Sequence, residues 1–182
     1  MRHVVRKLFW VWNYDKEEKW LNEMAAKGLC LISVGYGKFE FEDCDPGEYR
    51  ICLQMLEKRP RHIESRRYIE FVESTGAEHI GTFARWIYFR KKATDGDFAM
   101  FSDYDSRIKH LNRIITFVGL VSLANLLIGT GNVIHALASS YPISDLNYSG
   151  LLNIAIGILG SFGTWRLLKK RNKLKAESQL FE

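Results

Sequence analysis

The chain has 182 residues, 47% hydrophobic and 26% charged, with a formal net charge of +5 at neutral pH. That length allows one modest soluble domain with a membrane segment, or a single globular domain. The positive excess does not point to nucleic acid: residues 1–102 carry 17 Lys/Arg against 16 Asp/Glu, residues 103–182 carry 9 against 5, and a nucleic-acid footprint needs its charge as a patch on the folded domain.

In chain order, Val4–Trp12 is rich in β-branched and aromatic residues and reads as a strand. Asp15 reads as an N-cap with Glu18 three residues on, a capping-box arrangement. The helix that follows puts Trp20, Leu21, Met24 and Ala25 on one face and ends at Gly28, a left-handed C-cap. Leu29–Val34 and Lys38–Asp43 are short strands, the second alternating Lys38, Glu40 and Glu42 against Phe39 and Phe41. Tyr49–Leu56 is a further strand. Pro60 suits a first helical turn, a helix runs to Gly76 with Ile69 and Val72 inward, and Ala77–Phe83 and Arg85–Lys91 are again strands.

The second series repeats the first at an offset of 48 residues: Gly28 aligns with Gly76, Trp20 with Tyr68, Leu21 with Ile69, Met24 with Val72, Ile32 with Ile80, and Phe39/Phe41 with Ile87/Phe89. The expected fold is α+β: residues 1–92 form two βαββ repeats, an antiparallel sheet with two helices on one face.

Residues 93–113 are a linker and juxtamembrane helix, with Ser102 as its cap and Asp105 three residues later; the helix leads straight into Ile114 and is a plausible coupling element. From Ile114 to Ser144 there is no Asp, Glu, Lys or Arg. Residues 114–138 are long enough to cross a hydrocarbon core of ~30 Å. A polar loop at 139–149, a second span at 150–168 and a basic tail at 169–182 complete a two-helix transmembrane hairpin. Arg107, Lys109 and Arg113 precede the first span, and Arg166, Lys169, Lys170, Arg171, Lys173 and Lys175 follow or close the second, whereas the loop holds only Asp145. The positive-inside rule then makes this a multi-pass cell-membrane protein with both termini in the cytoplasm and the loop outside. Gly157, Gly160, Ser161 and Thr164 form a small-residue face for helix–helix packing.

Three cysteines, Cys30, Cys44 and Cys52, lie in strand-like segments. Cys44 and Cys52 flank the turn-forming Asp45-Pro46-Gly47, so a bridge between them is conceivable, but reduced thiols are the ordinary state of a cytosolic domain. No Cys/His spacing suggests a zinc site, and no cofactor or metal is expected. A Gly-x-Ser-x-Gly elbow, a phosphate loop and a His-Glu-x-x-His motif are all missing, so the reading is non-enzymatic.

The duplicated unit resembles, at fold level, the paired modules of GyrI-like effector domains, and that resemblance implies a groove for small hydrophobic or cationic compounds. Trp10, Trp12, Tyr14, Tyr36, Tyr49, Trp86 and Tyr88 could line it, with Glu40 or Glu42 as a counter-charge. Most such rings in ordinary proteins are sheet core or exposed strand positions. Phe9-x-x-Trp12, the run Glu17-Glu18-Lys19-Trp20-Leu21-Asn22-Glu23-Met24-Ala25-Ala26-Lys27-Gly28, and Phe101-Ser102-Asp103 before paired apolar helices resemble domain-of-unknown-function family 2812 of bacteria. Phe83–Lys91 is similar to that family's second hallmark strand, although the Gly-Trp usual before it is here Gly76-Ala77. The resemblance implies a membrane-anchored protein, often encoded beside PadR-type regulators and so with a regulatory partner. The expected function is a membrane-tethered sensory or regulatory protein whose cytoplasmic domain binds a small ligand or a protein partner. The alternative is an accessory subunit of a larger membrane transporter or enzyme. Expected partners are the lipid bilayer, a cytoplasmic or membrane protein, or a second copy of the chain, with no direct nucleic-acid binding.

Overall fold

The computed structural model describes residues 1–96, 98, 101, 103–138 and 148–179. They fall into two compact units, Met1–Ser106 and Arg107–Glu182.

The first unit runs β1 (Arg2–Arg6), a 3-10 turn (Val11–Asn13), α1 (Tyr14–Ala26), β2 (Leu29–Gly35), β3 (Lys38–Asp43), β4 (Tyr49–Met55), α2 (Ile63–Ser74), β5 (Glu78–Phe83) and β6 (Trp86–Lys92). The strands pair antiparallel in two three-stranded sheets, of order β1-β3-β2 and β4-β6-β5, where a single sheet was expected. A bulge between Leu31 and Ser33 bends β2, and one between His79 and Gly81 bends β5. These two outer strands would have to share a ladder to fuse the sheets, and they do not. β2 and β5 still run close: a Cβ on Gly81 would meet Val34 Cγ2 at 3.1 Å. Side chains do the joining. Arg90 of β6 donates through Nη1 to the Leu31 carbonyl (3.2 Å) and reaches Glu42 (3.4 Å), while its Nε pairs with Glu78 (2.7 Å).

The expected first strand is cut short at Arg6. Lys7 N donates to Gly37 O (2.9 Å), and Asn13 N donates to Trp10 O (2.7 Å), turning the chain into α1. The turn lets Phe9 pack on both Trp20 and Phe39, at ring-centroid distances of 5.5 and 6.3 Å, which a straight strand would not permit. Leu21 and Ala25 of α1 are buried, and Trp20 meets Phe39 and Phe41 edge-on. At its end Gly28 has φ +82°, and a Cβ there would lie 2.8 Å from Cys44 O, so both backbone conformation and space require glycine.

The expected capping box of Asp15 and Glu18 is absent, because Glu18 points elsewhere. β4 is the outer strand of its sheet, and its residues 51–55 are all buried. Its outward backbone groups therefore need partners other than water. Glu18 Oε2 accepts from Leu53 N (3.0 Å) and Cys52 Sγ (3.5 Å). Asn22 pairs with Ile51 twice, Oδ1 accepting from its N–H (3.0 Å) and Nδ2 donating to its carbonyl (2.7 Å). α1 thus closes the edge of the sheet built by the other half of the unit.

α2 begins after Pro60 rather than around it: His62 is the N-cap, its Nδ1 accepting from Glu64 N (3.2 Å). Val72 packs with Leu56, Ala77, Ile87 and Phe89, and Tyr68 and Ile69 cover them. Tyr68 Oη donates to Gln54 (2.6 Å). The cysteines also differ from the expected reduced state, with Cys30 bonded to Cys44 and Cys52 buried outside the bridge. Cys30 stands opposite Glu42 on the β2–β3 ladder and Cys44 lies just beyond β3, whereas Cys52 has entered the other sheet.

The second unit holds the rest of α3 (Tyr104–Ala138), and α4 (Tyr148–Ser178). Asp103 accepts from Ser106 N (2.7 Å) at the start of α3; Ser102, the expected cap, lies outside the described residues, as does most of the 139–149 loop. Both helices are long and apolar enough to cross a membrane. At ~1.5 Å per residue each outruns a ~30 Å hydrocarbon core, and the basic tail expected at 169–182 is helical through Ser178. Large side chains such as Leu120, Leu127, Ile134, Leu152 and Ile158 are exposed, and glycines fill the seam between the helices. A Cβ on Gly157 would meet Leu126 Cγ at 2.6 Å and its backbone N at 3.0 Å; one on Gly129 would meet Gly150 O at 2.7 Å.

Two outcomes test this packing in the full chain in detergent. Asn22→Ala leaves both Ile51 groups unpaired and should cost roughly 1–3 kcal/mol in chemical denaturation, while the exposed Glu23→Ala stays within about 0.5 kcal/mol. Equal effects would show that the β4 edge does not depend on Asn22. Gly157→Ile should weaken the hairpin's resistance to denaturing detergent, and Gly131→Ala, whose Cβ meets nothing within 4 Å, should leave it unchanged.

Candidate functional site

A cleft of about 90 Å³ opens where the β2–β3 turn, the segment after β1, the start of α1 and the β5–β6 hairpin converge. Phe39, Trp86 and Tyr88 are buried in its lining, Tyr14 and Glu17 are half-buried, and Lys7, Leu8 and Tyr36 are exposed at its mouth. Each is placed by a feature already described. Phe39 and Tyr88 lie on the central strands of the two sheets. Tyr14 stacks on Trp86, with centroids 5.5 Å apart. Tyr36 sits in the β2–β3 turn beside Gly37, where φ is +56° and a Cβ would run into Leu8 and the Lys7 carbonyl. Tyr36 also packs on Phe83, at 5.8 Å.

The acidic group of the cleft is Glu17. Its Oε1 accepts from Tyr88 Oη at 2.7 Å, across 71 residues of sequence. Burial among the rings raises the Glu17 carboxyl above its ordinary value, and the Tyr88 hydrogen bond only partly offsets this. Burial, and then the Glu17 charge, push the Tyr88 phenol well up, so it stays a donor. Lys7 Nζ, also at the cleft, lies over the Trp20 ring (4.5 Å) and the Phe9 ring (5.0 Å) rather than on Glu17.

Of the residues expected to form a groove, Tyr14, Tyr36, Trp86 and Tyr88 line this cleft. Trp10 and Trp12 instead stack on one another, centroids 5.1 Å apart and nearly parallel, and Tyr49 lies under the Arg90 guanidinium at 4.6 Å. Glu40 pairs with Lys38 Nζ (2.6 Å), which holds its carboxyl below the ordinary range, and Glu42 reaches Arg90. Sequence reasoning passed over Glu17 because it lies inside a helix signature; the signal was an acidic residue one position from Glu18 in a helix with aromatic neighbours. On α4, Gly157 and Gly160 face Leu126 and Ser122 of α3, and Thr164 Cγ2 lies 3.8 Å from a Cβ on Gly119. Ser161 Oγ turns back to Gly157 O (2.8 Å) on its own helix.

The raised carboxyl of Glu17 has a signed consequence. The folded chain holds this proton more tightly than the unfolded chain, so ionised Glu17 costs stability at neutral pH, and the cost disappears as pH falls through its raised pKa. Glu17→Gln, which can still accept from Tyr88, should melt at the same temperature as the parent chain or higher at pH 7. The gap should close toward mildly acidic pH. A variant that melts lower at pH 7 and equally so in acid would show that Glu17 is not held against its charge.

The family model described as "Protein of unknown function (DUF2812)" matches residues 13–123. No curated protein and no solved structure matches the chain. The matched stretch covers more than half of the chain, from the turn before α1 into the apolar part of α3, and includes Glu17, Glu18, Asn22, Trp86 and Tyr88. The chain therefore belongs to the DUF2812 family.

Proposed function

We propose that this is a membrane-tethered sensory or regulatory protein whose first unit binds a small organic cation in the aromatic cleft. The observation that carries the reading is the Glu17 carboxylate, bound by Tyr88 and set among Tyr14, Phe39 and Trp86. An anion among ring faces suits a compact ammonium group, which gains from both charge and ring quadrupoles. Size narrows the class. An engineered cavity of ~150 Å³ takes benzene, so about 90 Å³ suits a headgroup such as a methylated ammonium. The remainder of such a ligand would run out over the exposed Leu8 and Tyr36.

The two halves of the unit support a duplicated βαββ origin. Their sheet orders correspond strand for strand, Gly28 and Gly76 both take positive φ after their helices, and the bulges bypass Ile32 and Ile80, 48 residues apart. Such a duplication is what the fold-level resemblance to GyrI-like effector domains implies. The family resemblance implies a PadR-type regulator as the partner to which occupancy would be reported. The basic flanks of α3 and α4 support a multi-pass placement with both termini in the cytoplasm. Under the accessory-subunit reading, a larger complex would have to grip the outer, bulky faces of the helices, since the glycine seam is filled within the chain.

Tryptophan fluorescence and thermal melting of the full chain in nanodiscs, against paired alkylammonium compounds and their neutral isosteres, test the proposal. Saturable binding of the cations should raise the melting temperature, with about 2.7 kcal/mol of stabilisation at one hundred times Kd. Glu17→Gln should weaken cation binding roughly 10–100-fold, as expected for a lost charge-assisted contact of about 1.5–3 kcal/mol. A folded protein that binds no member of either series would overturn the ligand reading.

A further inference from the structure

Orientation and cysteine chemistry pull in opposite directions. With the first unit on the cytoplasmic side, its thiols stand in a reducing compartment, where lasting disulfides are rare and those that form are transient. Cys30 and Cys44 are nevertheless close enough to bond, with Cα atoms 5.9 Å apart. Cys30 is fully buried in β2, and Cys44 is half-buried beyond β3. Glu48, half-buried after the Asp45-Pro46-Gly47 turn, brings a carboxylate oxygen to the pair, so that this oxygen and both sulfurs lie within 4.8 Å of one another. Backbone bonds hold the set in place: Cys44 N to Gly28 O (3.0 Å), Gly47 N to Ala25 O (2.9 Å) and Ala93 N to Glu48 O (2.8 Å).

We infer that Cys30, Cys44 and Glu48 form a site for a thiophilic divalent cation such as Zn²⁺, filled when the cysteines are reduced and emptied when they join. Two thiolates and a carboxylate are ligands Zn²⁺ accepts, and a three-ligand set leaves the fourth position to water. Bonds of about 2.3 Å to sulfur and 2.0–2.2 Å to oxygen place tetrahedral ligand atoms about 3.5–3.8 Å apart. Opening the S–S bond lets the sulfurs separate toward that spacing, and the Glu48 carboxylate, whose Oε2 accepts from Asp45 N at 3.4 Å, would turn inward to meet the cation. A small-molecule dithiol supplies two electrons and two protons, opening the bond to two thiols as it becomes a disulfide itself. Metal binding then displaces the two thiol protons to solvent. In the reverse direction two thiolates give two electrons to a disulfide oxidant, which takes up two protons and becomes two thiols, and the cation leaves. The spacing of 14 residues between Cys30 and Cys44 hides the set from any sequence motif.

The cytoplasmic orientation proposed above supplies the setting, but the test does not depend on it or on the cleft. The full chain in nanodiscs is reduced, freed of reductant without air, and titrated with Cd²⁺. One equivalent should bind with a thiolate-to-metal charge-transfer band, and Cd²⁺ should protect Cys44 from alkylation. Reoxidation should abolish both. Cys44→Ser should weaken binding by more than the ~10–100-fold that loss of a supporting partner costs. Glu48→Gln should weaken binding less, and Cys52→Ser should leave it unchanged. No band and no protection in the reduced parent chain would overturn the site, even if a cysteine variant fails to fold. Unchanged stoichiometric binding in Cys44→Ser would overturn it as well.

Discussion

The first unit depends on one edge. β4 is an outer strand buried along almost its whole length, and its outward N–H and C=O groups have no neighbouring strand. Left bare, each would cost about 1–3 kcal/mol. Glu18 and Asn22 take those groups from the side of α1, a helix that precedes β4 by more than twenty residues and whose own apolar face packs on the other sheet. The bond network from α1 therefore holds the two sheets in register where no continuous ladder does. Arg90 adds a second tie, from β6 to β2 and β3.

The cleft follows from that docking. With α1 fixed against β4, its first turn brings Tyr14 and Glu17 to the hairpin that carries Trp86 and Tyr88. A half-buried carboxylate is tolerated there because a phenol donates to it and because the cleft remains open to solvent at Leu8 and Tyr36. The tie to the β4 edge and the lining of the cleft thus share one helix but not the same side chains.

Local signals showed the elements well. The period-two pattern of Lys38–Asp43 and the glycine stops at 28 and 76 appear in the structure where the sequence suggested them, because strand faces and left-handed caps are decided by neighbouring residues. The breaks came from distant demands. Glu18 left its expected cap for Leu53, 35 residues away, and Cys44 joined Cys30 where reduced thiols were expected. The strand expected through Trp12 stopped at Arg6 so that Phe9 could reach Trp20. Four of the seven suggested groove residues met in one cleft, but Glu40 lies on a strand face beside Lys38, where nothing in the local pattern separated it from Glu17.

The adjacent pair Glu17-Glu18 places two carboxylates of one helix in two environments. Successive residues of a helix point about 100° apart, so two carboxylates in tandem reach different partners. Here the second turns to the bare β4 edge at Leu53 and the first to the phenol of Tyr88, the β6 residue that pairs with Leu53 across the ladder. Both are half-buried, and that burial raises both carboxyls, but their partners differ in kind. Glu18 receives two donors from one strand and is anchored by them. Glu17 receives a phenol and faces a space large enough for a small headgroup. A replacement that keeps shape and removes charge therefore separates them: at position 18 the edge of the sheet loses its charged acceptor, and at position 17 the fold keeps its hydrogen bond while the cleft loses its anion.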